Sequence, residues 1–204
     1  NENRFKNKFF EISSKCFFSI KLKIKHILID SNNLWLATEK GIFLYKIVNE
    51  KGDLIYQKNT VNSLNIKSNV NIITKDGKNN FWIGTDSGIF IYNQNLNSFK
   101  KFFLKNQEYI NNILATKILS IFESKEGLIF IGTEVNGLII YNPYNNQYYW
   151  HLNNPLNKNS LIHNTITSIA QDLKGNIIIG TLGGLSIYNR NQNNFTNYTF
   201  KLND

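Results

Sequence analysis

The sequence has little of the chemistry that binds metals, forms disulfides or spans membranes. Cys16 is its one cysteine, which excludes an internal disulfide and a zinc site built from several cysteines. The histidines His26, His151 and His163 lack the spacing of a metal-binding motif, so we expect no metal and no cofactor. No apolar run reaches the roughly 20 residues of a membrane span, and we expect membrane attachment only through segments outside this sequence.

Positive charge is abundant, but it is not organised as a nucleic-acid site. The formal net charge is +9, and much of the excess lies near the N-terminus while the other lysines are scattered. The arginines are Arg4 and Arg190, and no basic and aromatic recognition motif appears. We therefore expect a solvated basic surface and no nucleic-acid partner. Because the sequence does not begin with methionine, we also expect a mature form or a piece of a longer protein.

The segment "WIGTDSGIFIYN" (82–93) recurs along the whole chain. Its relatives are "LWLATEKGIFLYK" (34–46), "IFIGTEVNGLIIYN" (129–142) and "IIIGTLGGLSIYN" (177–189). The repeated threonines stand 47 or 48 residues apart and are Thr38, Thr85, Thr133 and Thr181. A period of this length is typical of stacked repeats such as the blades of a propeller.

Each repeat divides into four short β segments, which we name A to D. Segment A alternates apolar and polar residues, B is almost wholly apolar up to Gly-Thr, C carries a tyrosine next to its last residue, and D is aromatic but polar. Four antiparallel strands per repeat predict an all-β fold, a β-propeller of four four-stranded antiparallel blades of about 48 residues. A β-sandwich is the alternative, but sandwich strands do not recur as a four-strand unit of constant length.

The repeat "WIGT…GIFIYN", preceded by "NSL…N…I…D…G", resembles the two-component regulator propeller repeat over residues 24–200. In that family, arrays of such repeats form the periplasmic sensor part of hybrid two-component systems. The resemblance therefore implies a periplasmic, non-catalytic module that binds a ligand and signals to kinase machinery elsewhere. The first repeat departs from the pattern, since Ala37 replaces the glycine. Similar repeats occur in other bacterial propellers, so the resemblance predicts the fold of this chain better than its function.

The repeat boundaries predict one propeller domain over 1–204, with blades at about 22–60, 68–106, 116–153 and 164–201. Residues 4–12 resemble the D segment at 98–106, and we expect them to form a stray outer strand of a preceding blade. A fifth D strand is surplus to a ring of four blades. We therefore predict a section of a larger propeller, whose open faces associate with further blades or with another copy. A closed ring of four blades is the alternative.

The Gly-Thr pair before each B–C turn has the distribution of a structural motif. A catalytic group is needed once, whereas this pair recurs in the repeats. Glycine permits another chain to approach closely, and a threonine hydroxyl can satisfy turn amides. The residues assigned to this structural motif are Thr38, Gly84, Thr85, Gly132, Thr133, Gly180 and Thr181.

Binding residues are expected where the repeat varies. In propellers the B–C and D–A connections share one face, and loops carry function more often than strands. The candidates in the B–C turns are Glu39, Lys40, Asp86, Ser87, Glu134 and Asn136. The D–A loops on the same predicted face are 59–69, 105–116 and 153–164.

A second candidate region is the aromatic cluster "YNPYNNQYYWH" (141–151). Tyr144 and Trp150 could stack on the apolar face of a sugar, while neighbouring asparagines bind its hydroxyls. The structural alternative is an aromatic outer hairpin packed against the next blade.

These features predict a non-catalytic ligand-sensing module of a bacterial two-component protein, which recognises an extracellular carbohydrate such as an oligosaccharide. A propeller scaffold for protein–protein contact is the first alternative. A propeller lyase or hydrolase is the second, and it is disfavoured because no acid–base set, metal set or nucleophile motif is visible.

Overall fold

The computed structural model describes residues 23–47, 54–56, 68–96 and 98–199. These residues form four antiparallel sheets of four strands, and the strands of every sheet are hydrogen-bonded in chain order. The predicted all-β propeller with four four-stranded blades is confirmed. The predicted stray strand at 4–12 and most of the predicted loop at 59–69 lie outside the described residues.

Each sheet takes its strands from one repeat, in the order A, B, C and D. The first sheet consists of β1 (Ile24–Asp30), β2 (Asn33–Thr38), β3 (Gly41–Ile47) and β4 (Leu54–Tyr56). The second consists of β5 (Val70–Lys75), β6 (Asn80–Thr85), β7 (Gly88–Asn93) and β8 (Ser98–Lys101). The third consists of β9 (Ile118–Glu123), β10 (Ile129–Thr133), β11 (Leu138–Asn142) and β12 (Gln147–His151). The fourth consists of β13 (Ile166–Gln171), β14 (Ile177–Thr181), β15 (Gly184–Asn189) and β16 (Asn194–Tyr198).

Successive sheets stack face to face, with their A strands side by side. Strand β1 contacts β5, β5 contacts β9, and β9 contacts β13. Because successive side chains of a strand point to opposite sides, each sheet presents two faces. We call the face that packs on the next sheet along the chain the forward face, and the opposite one the backward face.

Equivalent repeat positions supply the apolar residues of each face. The forward-face residues of the first three sheets are Trp35, Ile42 and Leu44; Trp82, Ile89 and Ile91; and Phe130, Leu138 and Ile140. The backward-face residues that meet them are Phe81, Ile83 and Tyr92; Ile129, Ile131 and Tyr141; and Ile177, Ile179 and Tyr188. Each junction is therefore a separate apolar layer, which explains why segment B is apolar at every position.

The glycine of the Gly-Thr pair lies where an inner strand approaches closely. The pairing of β5 with β6 shifts register between Val70 and Ile72, which is a β-bulge beside Gly84. A Cβ atom at Gly84 would lie 2.5 Å from Cγ2 of Ile72 and 2.8 Å from Cγ2 of Ile118 in the next sheet. The absent side chain thus lets two A strands converge on the same point.

One connection differs from the sequence prediction. The segment 105–116 was predicted as a D–A loop, but it contains a short helix, α1 (Glu108–Leu114). Ile110, Ile113 and Leu114 are buried at helical spacing and join the layer between the second and third sheets. Asn111 fixes the helix by donating to the carbonyl of Leu104 and accepting from its amide, both at 2.7 Å.

Candidate ligand-binding site

The four B–C turns share one hydrogen-bonded frame. In each, the threonine Oγ1 donates to a glycine carbonyl three or four residues on, at 2.8–2.9 Å. The same oxygen accepts a turn amide, as Thr85 Oγ1 does from Ser87 N at 3.1 Å. The glycine that follows has a positive φ, for example 113° at Gly88, which an L side chain rarely adopts. These turns therefore present their variable residues on a fixed scaffold.

Asp86 lies at the B–C turn of the second sheet. Two asparagines hold its carboxylate: Asn69, which directly precedes strand β5, and Asn71, which lies within it. Asn69 Nδ2 donates to Asp86 Oδ2 at 2.6 Å, and Asn71 Nδ2 donates to Oδ1 at 2.9 Å. The Asp86 amide in turn donates to the Asn69 carbonyl at 3.1 Å. Both carboxylate oxygens are thus engaged by neutral donors of the same sheet.

The Asn71 side chain joins three sheets. Its Oδ1 accepts a hydrogen bond from Lys25 Nζ in the first sheet at 2.7 Å. Its Nδ2 also reaches the carbonyl of Ile118 in the third sheet at 3.0 Å. Lys25 and Asn71 both stand at the bulge of their A strand, between the residues where the pairing register shifts. The bulge therefore aims polar side chains across the junctions between the sheets.

The polar network continues to the third and fourth sheets. Lys117 Nζ forms an ion pair with Glu134, whose backbone carbonyl accepts a hydrogen bond from Thr165 Oγ1. Asn136 Nδ2 donates to Thr116 Oγ1 at 3.1 Å. The B–C end of the molecule thus carries a chain of polar contacts that runs from the first sheet to the fourth. We call the residues Lys25, Asn69, Asn71, Asp86, Lys117, Glu134 and Asn136 the B–C network.

Two ionisable groups of this network have shifted pKa values. Burial alone would raise the pKa of Asp86, but hydrogen bonds from Asn71 and Asn69 and the charges of Lys25 and Lys117 outweigh it and lower the pKa. The hydrogen bond to Glu134 raises the pKa of Lys117. Both groups are therefore charged at neutral pH, and Asp86 is not set up as a proton donor. The arrangement suits hydrogen bonding to a polar ligand better than acid–base chemistry.

The structure brings some of the predicted site residues together and separates others. Glu39, Lys40, Asp86, Ser87, Glu134 and Asn136 all lie in B–C turns at one end of the sheets. Asn69 is the last residue of the predicted D–A loop 59–69, whereas the sequence prediction missed Lys25, Asn71 and Lys117, which complete the network. In the sequence these residues appear as a polar residue at the start of an otherwise apolar A segment. That pattern indicates a polar network only once the position of the β-bulge is known.

Tyr144 lies at the opposite end, in the C–D turn of the third sheet. Its side chain is 69% exposed, and Lys78 Nζ of the second sheet sits 4.8 Å from its ring centroid. The two residues border a cleft of about 350 Å³ between the second and third sheets, which Trp82, Phe102 and other residues also line. Tyr144 is thus separated from the B–C network by the length of the strands.

Trp150 is part of the packing between sheets. Its Nε1 donates to the carbonyl of Asn136 at 2.7 Å, and its ring meets Tyr109 of α1 edge-on at 5.7 Å. Trp150 also contacts the apolar layer between the second and third sheets, whereas its neighbour Tyr149 is 53% exposed. Tyr144 and Trp150 therefore do not face one sugar-sized surface.

The described residues contain neither a cluster of metal ligands nor a membrane-spanning helix. Within residues 23–47, 54–56, 68–96 and 98–199, no group of three His, Cys, Asp or Glu side chains could hold a metal ion. Over the same part of the chain, no helix has the length and apolar character needed to cross a bilayer.

Several solved structures are similar to this chain. The chain is similar to the extracellular domain of the hybrid two-component system BT3049 from Bacteroides thetaiotaomicron, with 26% identity and a TM-score of 0.67. The predicted resemblance to two-component regulator propellers is confirmed. The match covers 87% of this chain but 23% of that domain, so the chain spans about a quarter of its relative's length. No protein-family model and no curated protein matches the sequence.

Two further neighbours support the fold. The extracellular domain of the one-component system BT4673, also from B. thetaiotaomicron, has 22% identity and a TM-score of 0.63, with 87% of this chain and 22% of that chain covered. Virginiamycin B lyase from Staphylococcus aureus has 13% identity and a TM-score of 0.56, with 87% and 55% covered. At these identities the likeness shows the shared propeller fold alone.

Proposed function

We propose that this chain is part of a periplasmic, non-catalytic sensor module of a two-component protein, and that it binds its ligand at the B–C network. The observation that supports this proposal is the similarity to the extracellular domain of a hybrid two-component system, combined with a polar network at one end of the sheets. Transduction would then belong to kinase machinery in another part of the protein.

The chemistry of the network favours a ligand rich in hydroxyl groups. Asparagine amides, two carboxylates and two lysines offer both donors and acceptors within a few ångströms of each other. An oligosaccharide presents alternating donors and acceptors of this kind. The charges of Lys25 and Lys117 are matched by those of Asp86 and Glu134, so the network has no strong preference for an ion of either sign.

Isothermal titration with a panel of neutral and acidic oligosaccharides tests the proposal. Asp86→Ala and Glu134→Ala are expected to weaken binding about 10-fold or more, because each leaves ligand and protein groups without a partner. Glu126→Gln is the matched control, since Glu126 pairs with Arg190 at the A–B end of the sheets. The scaffold alternative would be favoured if all three variants lost the same amount of saccharide affinity. It would also be favoured if no saccharide bound and a protein partner bound specifically.

A further inference from the structure

We propose that the cleft between the second and third sheets, at their A–B end, is a second binding site that takes a small amphipathic anion. Such a ligand has a flat apolar body and carries a carboxylate. The cleft lies at the opposite end of the strands from the B–C network, and the proposal does not depend on the function proposed for that network. It rests on the apolar floor of the cleft, on the lysines that line it, and on a break in the repeat that leaves it open.

The floor of the cleft is apolar and largely aromatic. Trp82, Ile91 and Phe102 of the second sheet line it together with Tyr141 of the third. The three rings pack on one another, with centroids 4.9 Å apart for Trp82 and Phe102 and 5.3 Å apart for Phe102 and Tyr141. The volume of about 350 Å³ is at the lower end of the range that is usual for small-molecule sites. A flat apolar body can pack on such a floor.

Hydrogen bonds fix the indole of Trp82 at this floor. Trp82 Nε1 donates to Asp76 Oδ2 at 2.9 Å, and Asn80 Nδ2 donates to the same oxygen at 2.9 Å. The backbone amides of Lys78 and Asn80 donate to Asp76 Oδ1 at 2.9 Å and 2.8 Å. Both oxygens of the Asp76 carboxylate are therefore engaged within the protein. The indole is held in place without a ligand, so binding does not have to order it.

The charged side chains of the cleft favour an anion. Three of them are lysines and two are carboxylates, namely Lys78, Lys100, Lys101, Asp76 and Glu123. Glu123 Oε2 accepts a hydrogen bond from Gly77 N at 2.7 Å, so both carboxylates already have donors from the protein. Among the described residues, none of the three lysines forms an ion pair. The lysines can therefore donate charge-assisted hydrogen bonds to a carboxylate of the ligand.

Lys78 stands at the mouth of the cleft. Its Nζ lies 4.8 Å from the centroid of the Tyr144 ring, which is an exposed and therefore weak cation–π contact. The ammonium group can turn from the ring to a ligand carboxylate at little cost. Lys78, Glu123 and Tyr144 also border an adjoining hollow of about 500 Å³ along the A–B turns. The charged group of the ligand is expected on this side, and its apolar body over Trp82.

The cleft lies where the second sheet departs from the repeat. Lys100 is the cross-strand partner of Ile91, whereas Tyr149 is the partner of Ile140 at the equivalent position of the third sheet. Ile91 is only half-buried although the third sheet packs on this face, while Ile140 is 3% exposed. A tyrosine ring beside Ile91 would occupy part of the cleft. The lysine instead leaves apolar surface uncovered and places an ammonium group next to it.

Naphthalene-2-carboxylate is a probe with both parts of the proposed ligand, and naphthalene-2-carboxamide has the same body without the charge. NMR of the indole N–H groups locates binding, because Trp82 lines the cleft whereas Trp35 lies between the first and second sheets and Trp150 beneath a B–C turn. The carboxylate is expected to shift the Trp82 signal saturably and to leave the other two nearly unchanged. Isothermal titration should give about threefold to tenfold higher affinity for the carboxylate than for the carboxamide. Equal affinity for the two probes, or no shift at Trp82, would overturn the proposal.

Substitutions of the lysines test the assignment of the charge. Lys78→Gln and Lys100→Gln are each expected to weaken binding of the carboxylate about two- to fivefold and to leave the affinity for the carboxamide unchanged. Lys174→Gln is the matched control, because Lys174 is the exposed lysine at the equivalent position of the A–B turn in the fourth sheet. An equal loss of affinity in Lys174→Gln would mean that the charge acts from elsewhere, and the proposal would be wrong.

A substitution taken from the third sheet tests the cleft itself. Lys100→Tyr copies Tyr149 and is expected to weaken binding of both probes at least tenfold, because the ring fills the space beside Ile91. The position is exposed, so the melting temperature should stay close to that of the wild type. A Lys100→Tyr protein that binds both probes with wild-type affinity would contradict a site in this cleft.

Discussion

Asn71 donates a hydrogen bond to Asp86 at 2.9 Å and, through the same side chain, connects the first, second and third sheets. The two residues are 15 positions apart, on either side of a β-hairpin. Asn71 stands at a β-bulge of strand β5. Its side chain can therefore reach the neighbouring sheets instead of contacting only residues of its own sheet. The relationship makes Asn71 the residue on which the geometry of the B–C network depends.

Asn71→Ala is therefore expected to lower the free energy of unfolding by about 1–2 kcal/mol, because three hydrogen bonds lose a partner in a half-buried position. Urea denaturation measures the change. Asn95→Ala, in an exposed C–D turn, is the matched control and should fall within about 0.5 kcal/mol of the wild type. Equal stabilities for the two variants would show that the network has no structural role.

The same substitution should also change the titration of Asp86. The hydrogen bonds and lysine charges lower its pKa below 3.8, so this carboxylate stabilises the folded protein above pH 3.8, and that stability is lost as the pH falls through the lower folded pKa. In Asn71→Ala the Asp86 pKa is expected to rise, as observed by NMR of the carboxyl group. A pKa that does not move would assign the shift to Asn69 and the two lysines without a contribution from Asn71.

Thr85→Ala is expected to lower the free energy of unfolding by about 1–2 kcal/mol, since the turn amide of Ser87 and the carbonyl of Gly88 both lose a buried partner. Thr85→Ser keeps the hydroxyl and should recover most of the loss. Thermal melting of both variants, and of the matching pair at Thr133, measures the effect. If the alanine and serine variants have the same melting temperature, the hydroxyl does not stabilise the turn.

The sequence predicts the repeating part of this molecule well and the non-repeating part poorly. Gly84 and Thr85 recur because three of the four B–C hairpins have the same close approach and all four use the same hydroxyl, so the fold and the strand order can be predicted from the sequence. The helix Glu108–Leu114 was missed because it occurs in one connection and has few turns. Asn71 was missed because a bulge reverses the side on which a residue points, and alternation alone does not show it.

Adjacency in sequence was also misleading. Tyr144 and Trp150 are six residues apart, but Tyr144 lies in the turn before the extended strand β12 and Trp150 lies near the end of that strand. At about 3.3 Å per residue, such a segment separates its ends by roughly the height of a sheet. Two aromatic residues of one cluster therefore reach opposite ends of the molecule, one in a C–D turn and the other beneath a B–C turn.

Burial lowers the pKa of His151 below 6.5, although a hydrogen bond with Asn193 acts in the opposite direction. Its ring packs edge-on against Phe195 at 5.0 Å, and its Nε2 is buried without a partner. The unfolded chain binds the proton more tightly, so stability is expected to fall as the pH drops from 6.5 towards the folded pKa. His151→Phe, which copies Phe102 at the equivalent position, should weaken this dependence.

The experiment is a series of urea denaturations between pH 7 and pH 5. His26 also has a pKa lowered by burial, so some pH dependence should remain in His151→Phe and should decrease further in the double variant with His26→Phe. Tyr149→Phe is the control, because Tyr149 is exposed on the same strand, β12. A His151→Phe protein with the full wild-type pH dependence would show that the neutral form of this ring is not required at the junction.

The close approach of the A strands at the Gly-Thr pair makes Gly84 sensitive to an added side chain. Gly84→Ala places a Cβ atom against Ile72 and Ile118 of two different strands, and overpacking of this kind costs about 1–3 kcal/mol. Gly77→Ala is the matched control, because its Cβ atom would meet only the Glu123 carboxylate oxygens, at 3.8 Å. Chemical denaturation should show a clear loss at Gly84 and little change at Gly77. Similar small losses at both sites would mean that the A strands can move apart at little cost, and the repeated glycine would then need another explanation.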